Sequence, residues 1–248
     1  MPKDFFDEFD SYFEEPDEGF TEAPFVPSDE TVVKAMLDLA QVGPEDFLYD
    51  LGSGDGRVLI AAARHRDARG LGIELDPMLV ARAQRDARLL GVDDYVGFLE
   101  EDIFRVELQG ATVVFLYLLQ EVNLMLRPKL LAELRPGTRV ISQAFDMGDW
   151  FPDDWLELGG TTLFKWIVPA RVAGSWEWEG PGGIPFRVEL KQKYQEVEGR
   201  AWRAGQKLPL EYAELRGDRL ELAIGEEANE KLHSFTLTFA EGKLRSVS

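Results

Sequence analysis

Asp46-Phe-Leu-Tyr-Asp-Leu-Gly-Ser-Gly-Asp-Gly-Arg57 is the stretch on which the fold turns. Residues 46–51 form an apolar run of strand length. Glycines at 52, 54 and 56 then break it, and an apolar helical run follows over 58–64. Strand, glycine-rich turn and helix in that order open a doubly wound α/β sheet, whose ligands sit beyond the carboxyl ends of the strands. A dinucleotide site spaces its glycines G-x-G-x-x-G so that a pyrophosphate rests on the helix N-terminus. Here the third glycine comes one residue early, and Asp50 and Asp55 put carboxylates around the turn. Carboxylates there repel a pyrophosphate and suit a ligand carrying an ammonium or sulfonium.

Working outward, strands and helices alternate. Ser28 is placed to cap a helix through Val32, Val33, Met36, Leu37 and Leu39, with Asp29 and Glu30 in its first turn. Residues 71–74 read as the next strand, and Asp76-Pro77 opens a helix that ends near Gly91. Strands follow at 95–99, 112–116 and 138–142, with helical material over 120–134. Such alternation predicts a parallel sheet covered on both faces. Glu74 closes the second strand 22 residues after Gly52, where an acid accepts from the hydroxyls of a ribose. Asp102 follows the third strand beside apolar Ile103, placed to accept from an adenine amino group. Acids at three successive strand ends, with this turn among them, predict an S-adenosylmethionine site. Its expected contacts are Asp50, Gly52, Ser53, Gly54, Glu74, Leu75, Glu101, Asp102 and Ile103.

The 248 residues carry 46 acidic against 27 basic side chains, a net charge of −19. That balance opposes general binding to nucleic acid or to an anionic membrane, and favours a cationic partner such as a basic protein. With no cysteine and only two histidines, His65 and His233, the chain offers no thiolate chemistry and no metal-ligand spacing. Its apolar runs are too short to span a bilayer and its acidic opening is unlike a signal peptide, so a cytoplasmic location is expected. The first 20 residues hold eight acids and one lysine, with Phe5, Phe9, Tyr12 and Phe13 at helical spacing.

Beyond residue 170 the period changes from helical to two. Phe186-Arg-Val-Glu-Leu-Lys-Gln-Lys-Tyr194 alternates apolar and polar, and similar segments recur near 194–203, 209–215, 219–224, 234–239 and 243–247. Turn pairs such as Gly217-Asp218 separate them. The division expected is an acidic aromatic segment over 1–20, a cofactor domain over 21–169 and an antiparallel β domain, sandwich or barrel, over 170–248.

With Tyr49-Asp-Leu-Gly-Ser-Gly-Asp-Gly-Arg57, the segments Pro24-Phe-Val-Pro-Ser28, Leu116-Tyr-Leu-Leu119 with Asn123, Leu126-Arg-Pro-Lys-Leu130, Pro136-Gly-Thr-Arg-Val140 and Phe145-Asp146 with Trp150 form a set. This set resembles the class I, seven-β-strand methyltransferases. Within them it is similar to the archaeal and bacterial protein-lysine methyltransferases whose mitochondrial relatives modify the ATP synthase c subunit and the adenine nucleotide translocase. The resemblance implies a seven-stranded sheet and a cover over the cofactor from Phe25, Val26, Pro27 and Ser28. It also implies a methyl-transfer site lined by Tyr117 and its neighbours, with a lysine-bearing protein as acceptor. Gln143 stands where many relatives have histidine after the serine of the fifth strand.

A lysine amine with an ordinary pKa is neutral in only about one molecule in 2,500 at pH 7, so an apolar channel that favours the neutral form helps the transfer. Phe25, Tyr117, Phe145 and Trp150 are the aromatic candidates for that channel, and Asn123 is a candidate hydrogen-bonding partner of the amine. Asp146 or Asp149 can draw in the ammonium. Two other readings stay open at this point: a small-molecule methyltransferase whose β domain shapes a metabolite pocket, and a cofactor-binding scaffold without transfer.

Overall fold

The computed structural model describes residues 26–226 and 231–246. Phe25, Pro24 and the acidic aromatic segment over 1–20 lie outside the described residues. The chain forms two compact units. The first runs to Leu134 and resumes over Arg139–Trp166; the second takes Arg135–Thr138 and everything from Ile167 onward.

In the first unit, seven strands form one sheet in the order β3-β2-β1-β4-β5-β7-β6. They are β1 (Phe47–Leu51), β2 (Arg69–Glu74), β3 (Val96–Glu100), β4 (Val113–Leu116), β5 (Arg139–Gln143), β6 (Asp154–Leu158) and β7 (Thr161–Ile167). The first five pair in parallel. β7 runs antiparallel to β6, and bonds from Ala144 N to Thr162 O and from Val168 N to Thr138 O give it the same sense against β5. Helices α1 (Glu30–Ala40), α2 (Arg57–Arg66), α3 (Pro77–Leu89) and α4 (Gln120–Glu133) connect the strands. Parallel strands buried on both faces must be continuously apolar, and Val113, Val114, Phe115 and Leu116 of β4 are all fully enclosed. α1 buries Val32, Val33, Met36, Leu37 and Ala40, one helical stripe, whereas α2 buries every residue from Val58 to Ala63.

The alternation read from the sequence thus holds through β5, with one correction at the start of α1. The cap is Asp29, whose carboxylate accepts from Thr31 N at 2.7 Å, and Ser28 is turned inward instead. The strands β6 and β7 do not emerge from periodicity. Asp154–Leu158 is an edge strand with Trp155 and Leu156 both exposed, so neither face of it carries an apolar pattern.

In the second unit, strands β8 (Gly174–Gly180), β9 (Ile184–Lys193), β10 (Glu196–Arg203) and β11 (Gln206–Leu208) make one antiparallel sheet. Strands β12 (Leu210–Arg216), β13 (Arg219–Glu226), β14 (Lys231–Ala240) and β15 (Lys243–Ser246) make another. Alternate residues point into a shared core in which Phe186, Val188, Leu190 and Ala201 meet Leu215, Leu220, Leu222 and Leu237. Phe235 sits edge-on to Trp178 at 5.1 Å and to Phe186 at 4.7 Å. Gly217-Asp218 is the two-residue turn between β12 and β13, with φ +61° at the glycine.

Candidate active site

Strand register assembles the site. Leu51 pairs with Ile73 and Leu116, Ile73 with Leu99, and Leu116 with Ser142. One residue further along each strand, Glu100, Glu74, Gly52, Tyr117 and Gln143 therefore form a single row across the carboxyl edge of the sheet. The strand order reverses between β1 and β4, in the middle of that row, which is where open α/β sheets bind ligands.

The turn after β1 needs its glycines for two different reasons. Gly52, Gly54 and Gly56 have φ of +82°, +53° and +80°, a region side chains strain to reach. A Cβ on Gly56 would also stand 2.6 Å from the Phe98 ring and 2.9 Å from Ala83. Gly52 N and Ser53 N both donate to Ile73 O, at 2.8 and 3.0 Å, which ties the turn to β2.

Of the two acids beside the turn, only Asp50 lacks a cationic partner among the described residues. Asp55 is enclosed and gripped by Arg57, through Nη2 at 2.7 Å and Nε at 3.0 Å, so the expected carboxylate at that point is turned inward and neutralised. Asp50 is 5% exposed, and among the described residues no cationic side chain pairs with it. Burial, then the neighbouring charges of Glu74 and Asp55, push its carboxyl well above the usual carboxylate range.

Glu74 is held open towards the row. Its Oε2 accepts from Gly54 N at 2.9 Å, and its Oε1 from Leu75 N at 2.8 Å and Asp76 N at 3.1 Å. After β3, Glu101 Oε1 accepts from Asp102 N and Asp102 Oδ1 from Phe104 N, both at 2.9 Å, so the two acids shape one tight turn. Ile103 is buried beneath that turn, while Leu75 is largely exposed.

On the other half of the row, Tyr117 and Phe145 are half-buried. Asn123 is fully enclosed, and its Nδ2 donates to Ser142 Oγ at 3.0 Å and to the carbonyls of Phe145 and Asp146 at 3.1 and 3.4 Å. It braces the loop that carries Phe145. Trp150 is also fully enclosed, its carbonyl accepting from Trp166 Nε1 at 2.8 Å and its ring 5.9 Å from that of Trp166. Asp146 Oδ1 accepts from Gln120 Nε2 and from Gly148 N, each at 2.8 Å, whereas Asp149 is paired with Arg127 at 2.6 Å. Val26 is exposed and Pro27 half-buried. Ser28 is buried, its Oγ donating to Gln143 Oε1 at 2.6 Å and its carbonyl accepting from Arg57 Nη1 at 2.9 Å.

Arg57, Gln120 and Gln143 are structural members of the site that sequence reasoning left without a role. Arg57 carries a signal: a cation in the first turn of a helix opposes the helix dipole and so calls for an anionic partner nearby.

The arrangement fits S-adenosylmethionine. A buried carboxylate without a cation, Asp50, suits a ligand ammonium; an anchored, outward-facing carboxylate, Glu74, suits vicinal hydroxyls; and the bare backbone of Gly52 and Gly54 leaves room between them. When bound, the cofactor supplies a methyl group on a cationic sulfur.

Comparison with known proteins agrees with this geometry. Residues 50–154 match the ANTKMT methyltransferase domain. A protein-lysine N-methyltransferase of Saccharolobus islandicus is 39% identical over 54% of this chain and 84% of its own length. The adenine nucleotide translocase lysine N-methyltransferase of Mus musculus is 34% identical over 53% of this chain, and the match takes in 57% of that protein, short of two thirds. A Salinibacter ruber protein described as an RNA methyltransferase, crystallised with S-adenosyl-L-homocysteine, is 51% identical, covering 59% of this chain and 96% of that one with a TM-score of 0.59. The chain belongs to the S-adenosylmethionine-dependent methyltransferase family that carries the ANTKMT domain and includes the protein-lysine N-methyltransferases.

Proposed function

We propose that this methyltransferase acts in the cytoplasm on a lysine side-chain amine of a protein. The observation that carries the reading is the 39% identity that extends over 84% of the archaeal protein-lysine N-methyltransferase. The chemistry of the row supports it. An incoming ammonium meets the half-buried carboxylate of Asp146, oriented by Gln120 and Gly148. It then loses its proton to solvent, helped by the half-buried aromatic surface of Tyr117 and Phe145, which disfavours the charged form. Held by Asp50, Glu74 and the backbone of the glycine turn, the cofactor would supply its methyl group to the neutral amine that this surface favours. The chain's own task is alignment and exclusion of water.

A second reading is transfer to RNA, because the 51% identical Salinibacter protein is described as an RNA methyltransferase. The net charge of −19 opposes that substrate. Incubation with methyl-labelled S-adenosylmethionine and a cell lysate, followed by protease or ribonuclease treatment, separates the two. Label that resists ribonuclease and is recovered as methyl-lysine after hydrolysis is expected. Label lost to ribonuclease, or found only in the small-molecule fraction, overturns the lysine reading.

A further inference from the structure

Residues 26–29 belong to no helix or strand, yet two side chains fix them from opposite halves of the site. Arg57 begins α2 directly after the glycine turn, and its guanidinium, locked onto Asp55, holds the Ser28 carbonyl. Gln143 ends β5, in the row that contains Gly52 and Tyr117, and its Oε1 takes the Ser28 hydroxyl at 2.6 Å. Ser28 and Gln143 are 7% and 6% exposed, so water competes poorly for this bond. Among the described residues the Gln143 side chain makes no other hydrogen bond. A buried amide at the end of a central strand thus has the Ser28 hydroxyl as its one side-chain hydrogen-bond partner among the described residues.

We propose that Gln143 is a positioning residue for the cofactor. Through Ser28 it keeps residues 26–29 against the rim of the glycine turn, and the bond governs how long the cofactor stays rather than whether the protein folds. Both partners are neutral, so the latch works without a titrating group. A neutral hydrogen bond of this kind shifts an equilibrium by roughly two- to tenfold.

The test needs no methyl acceptor. Association and release of S-adenosyl-L-homocysteine are measured by stopped flow for the full-length wild type, S28A, S28T, Q143A and S28A/Q143A, with a melting curve for each ligand-free protein. S28A and Q143A are each expected to speed release about three- to tenfold with association within about twofold. The double variant should match the singles, and S28T, which keeps the hydroxyl, should restore slow release. Multiplicative effects in the double variant, unchanged release, or S28T behaving like S28A would overturn the proposal. If Q143A does not fold, the contrast between S28A and S28T decides alone.

Discussion

The carboxylate of Glu74 and the amide of Gly54 meet at 2.9 Å across the glycine turn, although 20 residues separate them in the chain. A residue expected only to receive ribose hydroxyls therefore also sets the shape of the turn. With Leu75 N and Asp76 N on its other oxygen, three backbone donors hold the carboxylate in one orientation. Charge-assisted bonds of this sort are worth more than neutral ones, and they pre-pay the orientation that a ligand would otherwise have to impose.

Replacing Glu74 by alanine should accordingly weaken S-adenosyl-L-homocysteine binding by at least about tenfold, roughly 1.4 kcal/mol. Glu74→Gln should fall between alanine and wild type, since one oxygen remains but an NH2 group then faces backbone N–H donors. Titration calorimetry on the two variants checks this. Equal affinity for wild type and alanine would sink the ribose assignment.

Asp50 makes a prediction of opposite sign for stability and for binding. Its carboxyl is raised by burial and by Glu74 and Asp55, so between the ordinary value near 3.9 and its raised value the folded state holds a proton that the unfolded state has lost. Stability of the ligand-free protein should therefore fall as pH climbs through that window. Asp50→Asn removes the buried charge, so the variant should melt higher than wild type at pH 8 and lose this contribution to the pH slope. The same substitution should weaken S-adenosylmethionine binding at least about tenfold, because the ligand ammonium loses its counter-charge. Thermal melts from pH 4 to 8, with and without ligand, carry both readings; a destabilised Asp50→Asn would mean that the carboxylate has a partner within the fold.

Arg57 should prove more costly to lose than a surface arginine. It is the close partner of a carboxylate that is 1% exposed, with Arg82 at 3.9 Å the only other cation near it among the described residues. Removing one member of a buried pair costs about 3–5 kcal/mol because the other is left uncompensated. Arg57→Ala should show that loss in urea unfolding, and Asp55→Asn in the Arg57→Ala background should recover part of it by removing the stranded charge. No recovery in the double variant would assign the loss to Arg57's bond with Ser28 rather than to the ion pair.

The parts of this molecule that periodicity makes legible are those where burial is one-sided or complete. β1, the three glycines after it and α2, buried from Val58 to Ala63, stand out because apolar runs and positive φ leave few residue choices. The strands after Phe186 stand out because one face alone meets a core. Asp154–Leu158 has no such signature: an edge strand exposed on both faces has no reason to alternate. Ser28 and Asp29 trade places for a different reason. Either can cap a helix, and only the distant Gln143, which takes the serine hydroxyl, settles which one does. Asn123 lies on the stripe with Leu126 and Leu130, all three buried. Its spacing marks it as interior, but which atoms it meets depends on the loop after β5, whose path no local pattern encodes.

That loop yields the last prediction. Asn123 supports the Phe145 and Asp146 carbonyls from beneath, and Gln120 fixes the Asp146 carboxylate. On the proposed lysine reading, Asp146 would act on the acceptor rather than the cofactor. Asp146→Asn keeps the hydrogen bonds to Gln120 and Gly148 possible, through its amide oxygen, while removing the charge. With a lysine-bearing acceptor it should raise the acceptor KM about two- to fivefold, the upper range of an exposed ion pair, and leave S-adenosyl-L-homocysteine affinity within about twofold. Asn123→Ala should instead lower kcat as the loop loosens, because a displacement of the order of 1 Å is enough to spoil in-line transfer. Steady-state kinetics with acceptor and cofactor varied independently distinguish the two. An Asp146→Asn enzyme whose acceptor KM does not move would remove that carboxylate from substrate capture and leave it as a brace for the loop.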